Sequence, residues 1–187
     1  MQAFLVSLGA IFVSEIGDKT QLLAIVLAAR FKRPWPIVMG IAVATLANHF
    51  LAGLVGAWLR LSLGPGVLRA CLGASFLLAA AWVLKPDKAD DGPAPVGHFG
   101  VFAVTVASFF IAEMGDKTQL ATVMLAARYP SLAAVVAGTT VGMLLADAPA
   151  VFLGHVASAK FPFKAVRILA ALVFASLGLA TLFAPAP

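Results

Sequence analysis

The segment Glu15-Ile16-Gly17-Asp18-Lys19-Thr20-Gln21 returns 98 residues later as Glu113-Met114-Gly115-Asp116-Lys117-Thr118-Gln119. Both copies lie in apolar runs of membrane length, where one charged residue costs roughly 2.5–3.5 kcal/mol on insertion scales. Two carboxylates and one lysine, placed there twice, point to a site. Its donors are carboxylate, hydroxyl and amide oxygens, a set that suits a hard divalent cation such as Ca²⁺, Mg²⁺ or Mn²⁺. A soft metal would draw on thiolate or thioether, which the motif lacks. Five acids fall within apolar segments (Glu15, Asp18, Glu113, Asp116 and Asp147), and Lys19 and Lys117 reduce their charge to −3. One divalent ion and one proton neutralise it. Protonating the same carboxylates would release the ion, which is the physical basis of cation/proton exchange.

On a continuous helix Glu15 and Asp18 share a face, and Lys19, four residues beyond Glu15, pairs with it. Thr20 and Gln21 add neutral oxygens one step around, as do Thr118 and Gln119 in the second copy. Gly17 and Gly115 permit either close helix approach or a local break that exposes backbone carbonyls. Outside the motif, Asn48 and Asp147 are candidate ligands, and Asp147 has no basic neighbour in sequence. His49 fits an interhelical hydrogen bond better than a ligand or relay role. Pro149 is expected to kink its helix. Gly138 and Gly142, four apart, fit close helix packing.

The elements that carry these residues follow from length. A hydrocarbon core of about 30 Å needs roughly 20 helical residues. Proline, glycine and charge divide the chain into six apolar segments, at about 2–30, 35–59, 66–84, 99–128, 132–157 and 164–183. Continuous apolar runs without alternation disfavour a β-barrel. Over residues 14–31 against 112–129, 11 of 18 positions are identical, and the same offset aligns Phe4 with Phe102, Gly40 with Gly138, Gly56 with Gly154, Arg69 with Arg167 and Phe76 with Phe174. The predicted fold is an all-α integral membrane protein of six transmembrane helices. Its first three-helix repeat covers 1–84, a linker 85–98, and a second repeat 99–187.

Three spans per repeat make the second copy enter from the opposite side. This gives a 3+3 inverted-topology repeat with its site near the midplane, and transport by rocking of the two halves. Arg30, Lys32, Arg33, Lys85, Lys88, Lys160, Lys164 and Arg167 fall on one face, and Arg60, Arg69 and Arg128 on the other. The first face is therefore cytoplasmic, with both termini outside. Trp35, Trp58 and Trp82 lie near span ends, as interface anchors do, and His98 and His155 are also near span ends.

Composition agrees. The chain of 187 residues is 62% hydrophobic and 11% charged, with a mean hydropathy of +1.03. Soluble domains carry about a quarter charged residues. The net charge of +5 is confined to short clusters between apolar segments, which argues for loops at a lipid surface and against a nucleic-acid partner. The single cysteine, Cys71, excludes disulfides within the chain and cysteine metal sites. The first segment lacks a basic n-region and reads as a span rather than a cleaved signal.

Two Glu-x-Gly-Asp-Lys-Thr motifs in a duplicated six-span chain resemble the bacterial manganese exporters of the MneA type, which are similar to the Golgi calcium/manganese transporters of eukaryotes. The resemblance extends to Ala44-Thr45-Leu46-Ala47-Asn48-His49 and Ala146-Asp147-Ala148-Pro149-Ala150-Val151. It implies secondary export of Mn²⁺ or Ca²⁺ coupled to protons across the bacterial inner membrane, without a prosthetic group and with the motif acids as ligands. On that reading Glu15, Asp18, Glu113 and Asp116 hold the ion, with Thr20, Gln21, Thr118, Gln119 and Asn48 completing its shell. Glu15 and Glu113 carry the protons. Asp147 stands where asparagine is usual in the family. Two other readings remain at this point: an exporter of a small cationic or zwitterionic solute, and a non-transporting membrane scaffold. An enzyme is disfavoured, because no nucleophile–base spacing, His-rich metal motif or phosphate loop is present.

Overall fold

A computed structural model describes residues 1–85, 100–153 and 163–183. The regular elements among the described residues are all helices: α1 (Gln2–Glu15), α2 (Lys19–Phe31), α3 (Pro34–Ser62), α4 (Pro65–Val83), α5 (Val101–Glu113), α6 (Lys117–Arg128), α7 (Leu132–Leu153) and α8 (Phe163–Phe183). Four of them, α3, α4, α7 and α8, are long and apolar enough to cross a membrane. Most of the expected linker, with His98, and the region around Gly154, His155 and Lys160 lie outside the described residues.

Local chemistry sets these boundaries. Proline in the first turn of α3 and of α4 supplies a fixed φ where no N–H is needed. Lys32 closes α2 in the left-handed conformation (φ 52°), its N–H returning to the Ala28 carbonyl. The expected segments 2–30 and 99–128 are each interrupted at the motif, so of the two roles open to Gly17 and Gly115 the structure has the local break. Gly17 has φ +82° and Gly115 φ +74°, values that favour glycine. The chain therefore leaves one helix at Glu15 or Glu113 and starts the next at Lys19 or Lys117. The helix starts recur within one residue under the 98-residue offset, α1–α4 corresponding to α5–α8.

The two repeats interlock instead of packing side by side. α1 lies along α7, with α2 continuing against the same helix, while α5 and α6 lie along α3. Small residues make this possible. A Cβ on Gly138 would meet Phe4 and Ser7, one on Gly142 would meet Leu8 and Phe12, and one on Gly56 would meet the Val123 carbonyl. The Gly138/Gly142 pair thus has its expected packing role. One apolar cluster joins Ala10 and Ile11 of α1, Met124 and Leu125 of α6, Phe76 of α4 and Phe174 of α8. The other joins Ala24 and Leu27 of α2, Ile37 and Ile41 of α3, Phe109 of α5 and Val151 of α7. The outer faces carry exposed Leu, Val and Phe on most helices, together with Trp35, Trp58 and Trp82. Exposed apolar surface on this scale is unlike that of a soluble monomer and marks a surface that meets a membrane or another protein.

Candidate metal-ion site

Both helix breaks come together where the two clusters meet. Asp18 and Asp116 occupy the N-cap positions of α2 and α6, where free backbone N–H groups favour a carboxylate. Asp116 accepts from the Thr118 N–H and, at 3.2 Å, from its hydroxyl. The Gln21 side-chain oxygen accepts from the Gly17 N–H at 2.9 Å, and Gln119 repeats this with Gly115 at 2.7 Å. The glutamines therefore stitch the two breaks closed. Their amide groups reach the other repeat: Gln21 donates to the Ala146 carbonyl, and Gln119 to the Asn48 side-chain oxygen at 2.6 Å. Asn48 in turn donates to the Phe110 carbonyl.

The lysines do not pair as a continuous helix would have them. Lys19 Nζ lies 3.5 Å from Asp116, and Lys117 Nζ lies 3.6 Å from Asp18. Each lysine neutralises the aspartate of the other motif, because the break turns Lys19 away from Glu15. Once these pairs are formed, the −3 charge resides on Glu15, Glu113 and Asp147. All three are fully buried. Glu15 accepts from Thr20, and Glu113 accepts from Thr45 at 2.6 Å. One oxygen of each glutamate, and both oxygens of Asp147, have no hydrogen-bond partner. Asp18 and Asp116 are also buried, so all five acids of the apolar segments are withdrawn from solvent. Among the described residues, no three acidic, histidine or thiol side chains are gathered tightly enough to hold one ion in this conformation.

Thr45 was not singled out from sequence. The signal was there: it precedes Asn48 and His49 by three and four residues, on the same face of a helix otherwise apolar through that stretch. His49 departs from expectation. Both ring nitrogens are buried without a partner, so no interhelical hydrogen bond is made. Its position corresponds to Asp147 under the 98-residue offset. Pro149 sits inside α7, which continues to Leu153.

No solved structure matches the chain. The family described as divalent cation/proton antiporter GDT1 matches residues 3–91 and 101–186. A Vibrio cholerae protein provisionally named as a manganese exporter is 44% identical over 184 residues, covering 98% of this chain and 92% of that protein. A GDT1-like protein of Synechocystis is 28% identical, covering 93% of each chain. A GDT1-like protein of rice is 27% identical, covering 98% of this chain and 74% of its own length. With two charge-rich helix breaks joined by crossed ion pairs, the chain belongs to the GDT1 family of divalent cation/proton antiporters.

Proposed function

We propose that this chain exports Mn²⁺ from the cytoplasm across the bacterial inner membrane in exchange for protons. The observation that carries this reading is the set of three buried carboxylates, Glu15, Glu113 and Asp147, with oxygens left unpartnered while the lysines cover Asp18 and Asp116. A buried anion is costly unless a cation joins it. Oxygen donors favour a hard ion, and the name of the Vibrio relative supports manganese over calcium.

The fold reading goes with it. α1–α2 and α5–α6 each form one broken span, which with α3, α4, α7 and α8 makes six, arranged as a 3+3 inverted repeat of residues 1–84 and 99–187. Discontinuous helices meeting near the midplane are a known means of building ion sites. The distribution of basic residues supports a cytoplasmic location for the α2–α3 and α4–α5 connections and an outside location for both termini.

In this mechanism Glu15, Glu113 and Asp147 draw together on Mn²⁺. Thr20 and Thr45 aim the two glutamates, and the Asn48–Gln119 bond holds α3 to the second break. Asp18 and Asp116 contribute through their lysine-bridged carboxylates. Glu15 and Glu113 exchange the ion for protons. Neutrality fixes the exchange ratio: three protons, or one Mn²⁺ and one proton, balance the −3 charge, so one Mn²⁺ moves against two protons. A small organic solute fits poorly, because these carboxylates are buried in packed side chains. An open groove of about 460 Å³ beside Val43, Phe102 and Phe110 contains no motif residue.

The test is uptake of Mn²⁺ by proteoliposomes with an imposed pH gradient. Accumulation that collapses with a proton ionophore but ignores membrane potential is expected. Uptake that follows membrane potential in the absence of a pH gradient would contradict the proposal.

A further inference from the structure

Shifting residue numbers by 98 carries α1–α4 onto α5–α8, so every helix contact has a mirror that can be sought. Most mirrors are present: α1 along α7 and α5 along α3, α3 with α6 and α7 with α2, α1 with α6 and α5 with α2. The extensive contact between α4 and α8 is its own mirror. Phe76 and Phe174 exchange places under the shift, and their rings stack with centroids 6.5 Å apart.

What breaks the rule is where this pair sits. α4 packs on α6 and α8 packs on α1, whereas the mirrors, α8 on α2 and α4 on α5, are at most marginal. The apolar cluster around α1 and α6 includes α4 and α8, and the cluster around α2 and α5 includes neither. Two hydrogen bonds fall on the same side: Arg128 Nη1 donates to the Leu177 carbonyl at 3.3 Å, and Lys117 Nζ to the Lys85 carbonyl at 3.4 Å. Exposure follows. Met124 of α6 is 2% exposed against 45% for its counterpart Val26 of α2, and the Lys117 side chain is 5% exposed against 21% for Lys19.

We propose that α4 and α8 move as one arm against a core of α1–α3 and α5–α7, and that transport carries the arm from the α1/α6 half to the α2/α5 half. This rests on the exchanger reading and changes its moving parts. Halves whose helices are packed on one another's long helices are not free to rock as separate bodies, whereas the α4–α8 pair preserves its internal symmetry and loses it only against the core. The second state is specified by the shift: Arg30 reaches the Ala79 carbonyl, and Lys19 reaches the Phe183 carbonyl. With the termini outside, the arm here covers the outer half, and the site opens toward the cytoplasm.

The test uses the full chain with Cys71→Ser, in proteoliposomes, and two cysteine pairs bridged by a cleavable bifunctional thiol reagent. One pair is Arg128→Cys with Leu177→Cys, and the other is its mirror, Arg30→Cys with Ala79→Cys. The first pair is expected to link at once. The mirror pair is expected to link when Mn²⁺ and a pH gradient drive cycling. Either link should stop Mn²⁺ flux until it is cleaved. A photo-reactive amino acid at Ala79 alone gives a second readout, with adducts to α2 expected beside adducts to α8. The proposal is overturned if a transporting protein never links the mirror pair and gives only α8 adducts, or if the first link leaves flux unchanged. Absence of any Mn²⁺ flux in the wild type would sink the exchanger reading instead, while linkage of the mirror pair would still report the arm's movement.

Discussion

Replacing Lys117 with methionine strips the ammonium from Asp18 of the other motif. The two groups are 3.6 Å apart, with 5% and 3% of their side chains exposed. At that distance their attraction is about 4.6 kcal/mol for an effective dielectric of about 20, much of it offsetting the desolvation of both charges. Lys117→Met alone is therefore expected to cost about 3–5 kcal/mol, as is Asp18→Asn, because each leaves a buried charge behind. The double variant removes both charges and should lose far less than the sum, giving a coupling of about 2–4 kcal/mol. The corresponding cycle for Lys19 and Asp116 should show a smaller coupling, since Lys19 is 21% exposed and better solvated. Equilibrium unfolding in mixed detergent–SDS micelles measures all four proteins of each cycle. A control cycle on Glu15 and Lys19, the pair an unbroken helix would form, should show clearly less coupling than Lys117 with Asp18, because Lys19 is turned to Asp116. Coupling in the control together with additivity for Lys117 and Asp18 would refute the crossed arrangement and the helix break beneath it.

Other perturbations test neighbouring parts of the account. Asp147→Asn removes a buried carboxylate whose oxygens lack partners. It should raise the melting temperature of the ion-free protein and weaken Mn²⁺ binding roughly tenfold, about 1.4 kcal/mol, by calorimetry. The exchange should stay electroneutral, because Mn²⁺ or two protons then balance the remaining −2. At Gly115 an added Cβ meets nothing, yet φ is +74°. Gly115→Ala should therefore cost about 1–2 kcal/mol from backbone conformation alone, and Gly115→Asn less, in the same unfolding assay. Gly56→Ala pushes a methyl against the Val123 carbonyl and should cost about 1–3 kcal/mol, while Gly9→Ala, where the Cβ meets nothing, should be neutral or stabilising.

Much of this arrangement was legible in the residues, for identifiable reasons. Charge inside an apolar run is costly enough that a doubled Glu-x-Gly-Asp-Lys-Thr stood out, and proline placed the starts of α3 and α4 to within one residue. The breaks in the first and fourth segments were only partly legible: Gly17 and Gly115 allowed for one, but close helix packing explained them equally well. Hydrophobic length argues for one long helix, whereas a single glycine with positive φ divides each run without altering its composition. The error then propagated: i to i+4 reasoning paired Lys19 with Glu15, but the break sends it to Asp116, 97 residues away in the chain. Gln21 and Gln119, read as ion ligands, have their side-chain oxygens committed to Gly17 and Gly115 in this conformation. Thr45 shared a face with Asn48 and His49, but a threonine in an apolar helix is ordinarily satisfied by its own backbone, and only the fold brings Glu113 to it. The interlocking of the two repeats also had no local sequence signal beyond the spacing of small residues.

The central claim is that Glu15 and Glu113 trade one Mn²⁺ for two protons. Its most direct test is simultaneous recording of Mn²⁺ and proton flux in proteoliposomes for the wild type, Glu15→Gln and Glu113→Gln, each confirmed to be folded. The account predicts opposite fluxes in a ratio of two protons per Mn²⁺ for the wild type, and loss of both fluxes together in each variant. Coupled exchange at the wild-type rate and ratio in either folded variant would contradict it.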